Sequence, residues 1–192
     1  LVGSEMCIRD RRKFVLVAAL LASPAFAEGE PDGPGPNLVI EVSGQANGTI
    51  VIDMLPDHAP KHVAQMTALA AAGAYDGVVF HRVIDGFMAQ TGDPTGTGMG
   101  GSKLPNIPAE FSKASFGRGT VGMARSQSPD SANSQFFICF ADASFLNEKY
   151  TVVGQVTSGM EFVDKIKKGS QARNGEVQNP DKIVKMKVAA DK

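Results

Sequence analysis

The chain has 192 residues, of which 43% are hydrophobic and 20% are charged, and its formal net charge is -1. This size and composition predict one globular domain with enough interior for a hydrophobic core, and they argue against two domains. Because Lys and Arg are spread evenly and nearly balance the acids, neither a nucleic-acid groove nor a binding surface for anionic membranes is predicted.

The first 27 residues have the pattern of a secretory signal peptide. A basic segment precedes an apolar run over residues 14–22, and Ala-Phe-Ala at 25–27 supplies the small residues of a cleavage site. The run is much shorter than the roughly 20 residues of a membrane span, so a transmembrane anchor is the weaker interpretation. The first methionine is Met6, and two origins stay open for the residues ahead of it: upstream read-through and a mis-assigned start. We predict cleavage near Ala27, which places the protein in a bacterial periplasm or outside the cell.

The cysteines limit the chemistry of the mature chain. Cys7 would leave with the signal peptide, so Cys139 would be the only cysteine that remains. An intramolecular disulfide and a thiol-based metal site are then excluded. Cys139 lies in the apolar segment SQFFICF and is predicted to be a small buried residue rather than a nucleophile.

The mature chain opens on a predicted spacer and then alternates like β structure. Residues 28–37 are rich in Pro, Gly and acidic residues, which is typical of a flexible linker. Apolar and polar residues alternate over 38–42 and 48–55 across a glycine-containing turn, which predicts a β-hairpin. The apolar residues then take a helical spacing, and the sequence predicts a helix from Pro60 to a stop at Gly73.

Short strand-like segments follow, at 78–84, 87–91, 119–124, 135–140, 151–156 and 182–190. In the last segment, Val184, Met186 and Val188 alternate with lysines and are predicted to share one face of the strand.

A second helix is predicted to begin at Ser158, whose spacing to Glu161 fits a capping box. About eight strands and two helices without βαβ alternation predict a mostly β protein. The expected architecture is a closed eight-stranded antiparallel β-barrel capped by two α-helices, spanning residues 38–190.

Two sequence patterns suggest other chemistry but lack the context that it requires. GTGMGG (96–101) fits a dinucleotide-binding loop, yet Pro94 precedes it and no helix follows, so a surface loop is the better interpretation. His58 and His62 have a zinc-compatible spacing, but Pro60 begins the helix between them and no third ligand is near, so no metal is predicted. The hydrolase motifs G-x-S-x-G and H-E-x-x-H are absent from the sequence.

The segment FHRVIDGFMAQTGD (80–93) places a permanent cation, Arg82, among apolar side chains. Two interpretations stay open: a strand arginine paired with a carboxylate, and a fixed hydrogen-bond donor aimed into an apolar pocket. The amides Gln90 and Gln135 occur close in sequence to a group of apolar residues: Phe87, Met88, Phe136, Phe137, Phe145 and Leu146. An apolar concavity rimmed by arginine and glutamine has the general form of a ligand site.

These segments resemble the cyclophilin-type peptidyl-prolyl isomerases. FHRVIDGFMAQTGD is similar to the family pattern F-H-R-[VI]-I-x-G-F-M-x-Q-x-G-D, and SQFFI, FLN and VVGQV are similar to its second signature. PAEF, GTVGMAR and GMEFVDKI also match, so the resemblance runs from Leu38 to Val188. It implies a barrel with two capping helices and an enzyme that rotates X-Pro peptide bonds without a nucleophile, metal or cofactor.

The resemblance also implies roles for individual residues. Arg82 would be the catalytic donor to the prolyl nitrogen, and Gln90 would orient it and bind a substrate carbonyl. Substrate binding would involve Phe87, Met88, Ala124, Arg125, Gln135, Phe137, Phe145, Leu146 and Tyr150. Within this set the proline pocket would consist of Phe87, Met88, Phe137 and Leu146. Phe136 is predicted to point to the opposite side of its strand, because neighbouring strand residues face opposite ways.

Three residues depart from the pattern of many relatives. Phe145 stands where many have Trp, which implies weak binding of cyclosporin because an indole donor is missing. Tyr150 stands where many have His, and Arg125 where many have Asn, so the side-chain contacts at Arg125 are expected to differ.

The resemblance therefore implies an isomerase that assists the folding of proline-containing polypeptides after export. The alternative is a non-catalytic peptide-binding or chaperone module that uses the same groove. Neither nucleic acid nor, after removal of the signal peptide, a membrane is an expected partner, and the modest charge favours a monomer.

Overall fold

A computed structural model describes residue 33 and residues 35–189 of the chain. The predicted signal peptide lies outside this part, as does the predicted spacer apart from residues 33 and 35–37. None of the helices in the described part is long and apolar enough to cross a bilayer.

The described residues form a mostly β structure with two α-helices, as predicted. The strands are β1 (Asn37–Ser43), β2 (Gly48–Met54), β3 (Arg82–Ile84), β4 (Met88–Thr91), β5 (Thr120–Met123), β6 (Phe136–Cys139), β7 (Val152–Ser158) and β8 (Lys182–Val188). The helices are α1 (Pro60–Ala71) and α2 (Met160–Lys165). Short 3-10 turns lie at Pro129–Ser131, Ser144–Leu146 and Gln171–Arg173.

The strands form one antiparallel sheet in the order β3-β4-β6-β5-β7-β2-β1-β8. β1 and β2 form the predicted hairpin, in which Leu38 pairs with Ile52 and Ile40 with Ile50. These four side chains are fully buried, because alternate residues of a strand point to the same face and this face lies on the main core. Apolar residues of α1 and α2 belong to the same core.

The sheet is an open half-barrel, so the predicted closure of the barrel is wrong. β3 and β8 are its two edges. Residues 77–80 contact the start of β8 through backbone hydrogen bonds, but β3 itself pairs with the loop formed by residues 169–177. There the N–H of Val83 donates to the carbonyl of Gly175 at 2.8 Å, and the N–H of Gly169 donates to the carbonyl of Val83 at 2.9 Å. The outer edge of β3 is thus satisfied by a loop, which leaves the barrel unclosed.

The same arrangement shortens one predicted strand. The segment predicted as a strand over 78–84 is a strand only from Arg82 to Ile84, with a single bridge between Val79 and Lys182. The other predicted strands agree with the structure to within two residues at each end. The alternation of apolar and polar residues located the strands. The length of β3, however, depends on the segments that pair with it at the edge of the sheet.

A β-bulge changes which residues of β8 face the core. Opposite Glu41 and Val42 the register shifts, and Val184 has no pairing partner in β1. Val184 is 47% exposed, whereas Ile183 and Met186 are buried. The predicted common face of Val184 and Met186 is therefore wrong, because a bulge inserts one residue and reverses the alternation.

Helix α1 begins at Pro60 as predicted and stops before Gly73, which has a φ of +68°. No side chain near its own N-terminus caps it. Instead, Glu110 accepts hydrogen bonds from the N–H groups of Lys61 and His62 at 3.1 Å and lies 2.7 Å from Nδ1 of His62. Burial raises the pKa of the Glu110 carboxyl, but these hydrogen bonds outweigh burial and lower it overall. A carboxylate from a distant loop thus satisfies the helix N-terminus.

The predicted capping box of α2 is wrong. Ser158 is the last residue of β7, and the residue that precedes the helix is Gly159, with a φ of +87° and no capping side chain. A side chain at Gly159 would collide with the carbonyl of Thr49, so only glycine fits there. Val163 is fully buried on the core side of the helix.

Candidate active site

One row of paired residues crosses the face of the sheet opposite the main core. Arg82 on β3 pairs with Gln90 on β4, Gln90 pairs with Phe137 on β6, and Phe137 pairs with Gly122 on β5. Directly paired residues of antiparallel strands have neighbouring side chains on one face. A side chain on Gly122 would collide with the rings of Phe116 and Phe137, so this glycine leaves the space that the aromatic rings occupy. Strand register alone therefore brings the cation, the amide and the aromatic floor together.

A cavity of about 500 Å³ opens on this row and is called the first cavity. Its lining comprises Arg82, Phe87, Met88, Gln90, Ala124, Arg125, Phe137, Phe145, Leu146, Tyr150 and Asn174. All residues assigned to the site from the sequence lie in this lining except Gln135, and Asn174 was not predicted. Gln135 lines an adjoining cavity of about 590 Å³, the second cavity, which shares Gln90, Ala124 and Arg125 with the first.

The guanidinium of Arg82 is fixed by neutral partners. Its Nε donates to the backbone carbonyl of Asn174 at 3.0 Å, its Nη2 donates to Oδ1 of Asn174 at 2.9 Å, and its Nη1 donates to Oε1 of Gln90 at 3.1 Å. In the part of the chain that the structure describes, no carboxylate forms an ion pair with it. A guanidinium has five N–H donors, so these bonds leave one on each terminal nitrogen. The interpretation of Arg82 as a carboxylate-paired strand arginine is wrong.

Arg82 stays charged although no carboxylate among the described residues neutralises it. Burial lowers the pKa of its guanidinium from the ordinary value, and the nearby Tyr150 raises it in part. An arginine remains protonated at any physiological pH even so. The first cavity therefore presents a permanent positive charge beside apolar walls, where hydrogen bonds are stronger than in bulk water.

A second amide orients Gln90. Nε2 of Gln90 donates to Oε1 of Gln135 at 2.9 Å, and Nε2 of Gln135 donates to the carbonyl oxygens of Gly98 and Gly100 at 3.1 and 2.8 Å. Because each amide nitrogen has its own acceptor, the oxygen of Gln90 is left to face Arg82. Arg82 is in this way connected to the glycine-rich loop of the second cavity.

Asp93 organises that loop, which spans residues 94–101. Its buried carboxylate accepts hydrogen bonds from the N–H groups of Thr95, Thr97, Gly98 and Gly100 at 2.6–3.1 Å. Burial raises the pKa of the Asp93 carboxyl, but these bonds, chiefly those from Thr95 and Gly100, outweigh burial and lower it to about 2. GTGMGG is thus a surface loop, as predicted, and its amides bind an internal carboxylate.

The apolar wall of the first cavity has the composition predicted for the proline pocket. Met88, Phe137 and Leu146 are buried, each with a small exposed fraction toward the cavity. Phe145 is 60% exposed at the rim, and its ring centroid lies 5.3 Å from that of Phe87. The apolar wall is therefore buried at its base and exposed to solvent at its entrance.

The two adjacent phenylalanines of β6 point to opposite faces, as predicted. Phe137 stacks on Phe116 with ring centroids 5.8 Å apart beneath the first cavity. Phe136 is fully buried in the main core, in an edge-to-face contact with Tyr75 at 5.7 Å. The strand alternation thus separates a residue of the site from a residue of the core.

Two residues that depart from the common pattern contact each other. The guanidinium carbon of Arg125 lies 4.4 Å from the ring centroid of Tyr150, the geometry of a cation–π interaction. Tyr150 in turn makes an edge contact with Phe137 at 6.0 Å. The N–H of Ala124, a residue assigned to substrate binding, donates to the carbonyl of Gln135 at 3.0 Å.

Several other reactive side chains take no part in this geometry. Cys139 is fully buried, and burial, aided by Asp142, raises the pKa of its thiol to about 12, consistent with the predicted apolar role. His81 is buried next to Gly98, and burial is the main cause that lowers its pKa. No cluster of three or more His, Cys, Asp or Glu side chains suited to a metal ion occurs among the described residues.

Asn174 is the residue that sequence reasoning missed. It has a φ of +53°, a conformation that Asn tolerates better than most residues, and it lies 92 positions from Arg82 in the chain. The dipeptide Asn174-Gly175 is a turn signal, and it marks the loop without indicating its partner.

The sequence and the fold were compared with known proteins. The family model described as "Cyclophilin type peptidyl-prolyl cis-trans isomerase/CLD" matches residues 38–188. A relative from Brucella suis biovar 1 named "Probable peptidyl-prolyl cis-trans isomerase" is 60% identical over 156 residues, which cover 76% of this chain and 80% of the relative.

Solved structures show the same fold. A cyclophilin-type peptidyl-prolyl cis-trans isomerase from Cryptosporidium parvum has a TM-score of 0.73 and 25% identity, and the match covers 82% of this chain and 99% of that one. The structure of that isomerase in the presence of the dipeptide Ala-Pro has a TM-score of 0.72 and 26% identity, with 81% and 99% covered.

The environment of Asp93 predicts a pH-dependent stability. Its folded-state pKa of about 2 lies below the ordinary 3.8, so the carboxylate stabilises the fold above pH 4 and this contribution is lost as the pH falls toward 2. We expect Asp93→Asn to lower the free energy of unfolding by on the order of 2 kcal/mol at pH 7 and by much less near pH 2.5. Urea denaturation at both pH values measures the difference, with Asp57→Asn, at an exposed position, as the control. An equal loss at both pH values would contradict the prediction.

Proposed function

The chain belongs to the cyclophilin-type peptidyl-prolyl cis-trans isomerases, and we propose that Arg82, aligned by Gln90 and Asn174, is the group that catalyses the rotation. The observation that carries this proposal is the set of three hydrogen bonds from Arg82 to neutral acceptors at 2.9–3.1 Å. They fix the guanidinium in the lining of the first cavity and leave two of its N–H groups for a substrate.

The reaction requires a donor rather than a nucleophile. Resonance holds the X-Pro amide planar with a barrier of about 18–20 kcal/mol, and uncatalysed exchange takes tens to hundreds of seconds. Rotation removes the overlap between the prolyl nitrogen lone pair and the carbonyl group, so that the nitrogen becomes pyramidal and a better acceptor. A hydrogen bond to that nitrogen stabilises the twisted state more than either planar isomer, which is the condition for acceleration.

Arginine suits this position for physical reasons. Its guanidinium is more weakly hydrated than a lysine ammonium, stays charged, and keeps a fixed planar geometry. Because Asn174 and Gln90 hold three of its N–H groups, little reorganisation is needed when the substrate twists. Gln90 would also bind a substrate carbonyl next to the rotating bond.

The apolar wall would bind the proline ring while the flanking chain turns. Met88, Phe137 and Leu146 form the base of the first cavity and Phe87 its side. A buried ring of this size gains on the order of 1.5–3 kcal/mol from desolvation, enough to hold one end of the rotating bond. Gln135 and the backbone of Ala124 and Arg125 would bind the extended part of the substrate.

The alternative is a non-catalytic peptide-binding or chaperone module with the same groove. A binder would use the apolar wall equally well but has no need of an arginine that is fixed on three sides and keeps free donors. The geometry of Arg82 therefore favours catalysis by this chain over binding alone.

The two functions differ in the response to Arg82→Ala. We expect this substitution to lower kcat/KM for a short X-Pro peptide by about 100-fold or more, while peptide affinity is partly retained, since the apolar wall is intact. A coupled isomerisation assay and calorimetric titration measure the two quantities. A wild-type protein that binds the peptide without accelerating its isomerisation would establish the binding module instead.

A milder variant tests the alignment of Arg82 by Asn174. Asn174→Gly removes Oδ1 but keeps the backbone carbonyl and tolerates the positive φ. We expect kcat to fall by about three- to tenfold with little change in KM, because the donor is misaligned rather than lost. Gln171→Ala, an exposed position in the same loop, is the matched control, and equal effects of the two substitutions would contradict the role of Asn174.

We propose that the enzyme is exported and assists the folding of proline-containing polypeptides in a bacterial periplasm or outside the cell. The support is the signal-peptide pattern of residues 1–27 and the physical need for such a catalyst where unfolded chains arrive with mixed X-Pro isomers. The isomerase of Cryptosporidium parvum solved with Ala-Pro supports a proline-containing peptide as substrate here. One chain forms both cavities, so a monomer suffices.

Export predicts a defined mass. After expression of the full chain in a bacterial host, the protein recovered from the periplasm or the medium is expected to begin at Glu28. Intact mass spectrometry measures this directly. A recovered protein that still contains residues 14–22 would contradict cleavage near Ala27.

We further propose that cyclosporin binds weakly, because Phe145 offers no hydrogen-bond donor at the exposed rim of the first cavity. Phe145→Trp is expected to tighten cyclosporin binding by about three- to tenfold, the contribution of one added hydrogen bond. Calorimetric titration compares the two proteins, with Phe145→Leu as a control that has no donor. An unchanged affinity of Phe145→Trp would exclude this explanation.

A further inference from the structure

The described residues that line the two cavities include cationic side chains but no anionic ones. Their linings contain two arginines, Arg82 and Arg125, and among the described residues neither lining includes an aspartate or a glutamate. This contrasts with the whole chain, whose formal net charge is -1. Arg125 is the only charged residue in the lining of the second cavity, and the other polar residues there are serines and amides.

Arg125 is fixed where the two cavities meet. Its Nη1 donates to the carbonyls of Ser126 and Gln127 at 3.0 and 3.2 Å, and its Nη2 donates to the carbonyl of Lys149 at 3.1 Å. Its guanidinium carbon also lies 4.4 Å from the ring centroid of Tyr150. The side chain is therefore ordered before a substrate binds, and its position costs little entropy on binding.

The charge of Arg125 is fixed but not neutralised. Its partners are backbone carbonyls and an aromatic ring, and the ion pairs found in the described part of the chain do not include it. The carbonyl oxygens accept hydrogen bonds from Nη1 and Nη2 but leave the net charge in place. A half-exposed cation without an ionic partner attracts an anionic group that comes close to it.

The path of the substrate brings such a group close. On the proposed function, the proline ring lies on the apolar wall and the carbonyl before it lies at Gln90, which lines both cavities, as does Arg125. The residues that precede the proline would therefore continue into the second cavity past Arg125. We propose that Arg125 is a specificity-determining residue that makes this isomerase prefer substrates with an acidic side chain shortly before the proline. This preference rests on the proposed function and adds a substrate class to it.

The preference is measured with peptides that differ at one position. The probes are Glu-Ala-Pro-Phe, Gln-Ala-Pro-Phe and Lys-Ala-Pro-Phe with blocked ends, because a change two residues before the proline affects the X-Pro bond itself very little. We expect kcat/KM to be about two- to fivefold higher for the Glu peptide than for the Gln peptide at low salt, the size of an exposed ionic interaction. The Lys peptide is expected to be the poorest substrate. The Glu/Gln ratio is expected to approach one in about 0.5 M NaCl, because salt screens exposed charges.

Variants assign the preference to the charge of Arg125. Arg125→Gln is expected to bring the Glu/Gln ratio to one, and Arg125→Lys to retain a ratio above one. Substitution of Arg125 also breaks its contact with Tyr150, which can lower kcat/KM for every peptide. Because such a loss affects the Glu and Gln peptides equally, it cancels in their ratio. Lys149→Gln removes a nearby cation that lines neither cavity and is expected to keep the wild-type ratio.

The possible results separate this inference from the function on which it rests. A Glu/Gln ratio of one in the wild type, or the same ratio in the wild type and Arg125→Gln, overturns the preference while catalysis stands. A failure of the wild type to accelerate isomerisation of any of the three peptides overturns the proposed function itself.

Discussion

The site depends on one constraint: a guanidinium that must remain charged, half-buried and without an ionic partner. A carboxylate beside Arg82 would bind the guanidinium more strongly than a neutral acceptor does. It would also neutralise the charge and occupy the N–H groups that a substrate needs. The structure instead uses an amide oxygen of Gln90 and both oxygens of Asn174. Neutral acceptors fix the direction of the N–H donors and leave the positive charge of the guanidinium in place. The proposed rotation needs only such an oriented, charged donor.

The open edge of the half-barrel makes this constraint possible. If β3 paired with β8, its outer edge would be occupied by a strand whose side chains lie in a fixed alternation. Because loop 169–177 pairs with β3 instead, a residue with a positive φ, Asn174, reaches the guanidinium with both its backbone and its side chain. The open edge of the sheet thus shapes the lining of the first cavity, while residues 77–80 still form backbone hydrogen bonds with the start of β8.

The two cavities act as parts of one groove because hydrogen bonds connect them. Asp93 binds the amides of the glycine-rich loop, that loop accepts from Gln135, and Gln135 orients Gln90. Arg125 lies on the boundary and ties the segment after β5 to the carbonyl of Lys149. Two amide side chains therefore join the loop to Arg82.

The sequence alone determined what depends on neighbouring residues: the alternation that separates Phe136 from Phe137, the helix that stops before Gly73, and the motif that joins Arg82, Gln90 and the apolar wall. Only the tertiary structure decided which distant groups meet. The contact of Asn174 with Arg82, the capping of α1 by Glu110, the bulge that exposes Val184 and the unclosed edge of the sheet all join segments far apart in the chain. Periodicity and turn chemistry are set by residues within one turn or strand. Which distant segments pair depends on the packing that buries the core and satisfies the remaining backbone groups. A short-range sequence pattern does not indicate these partners.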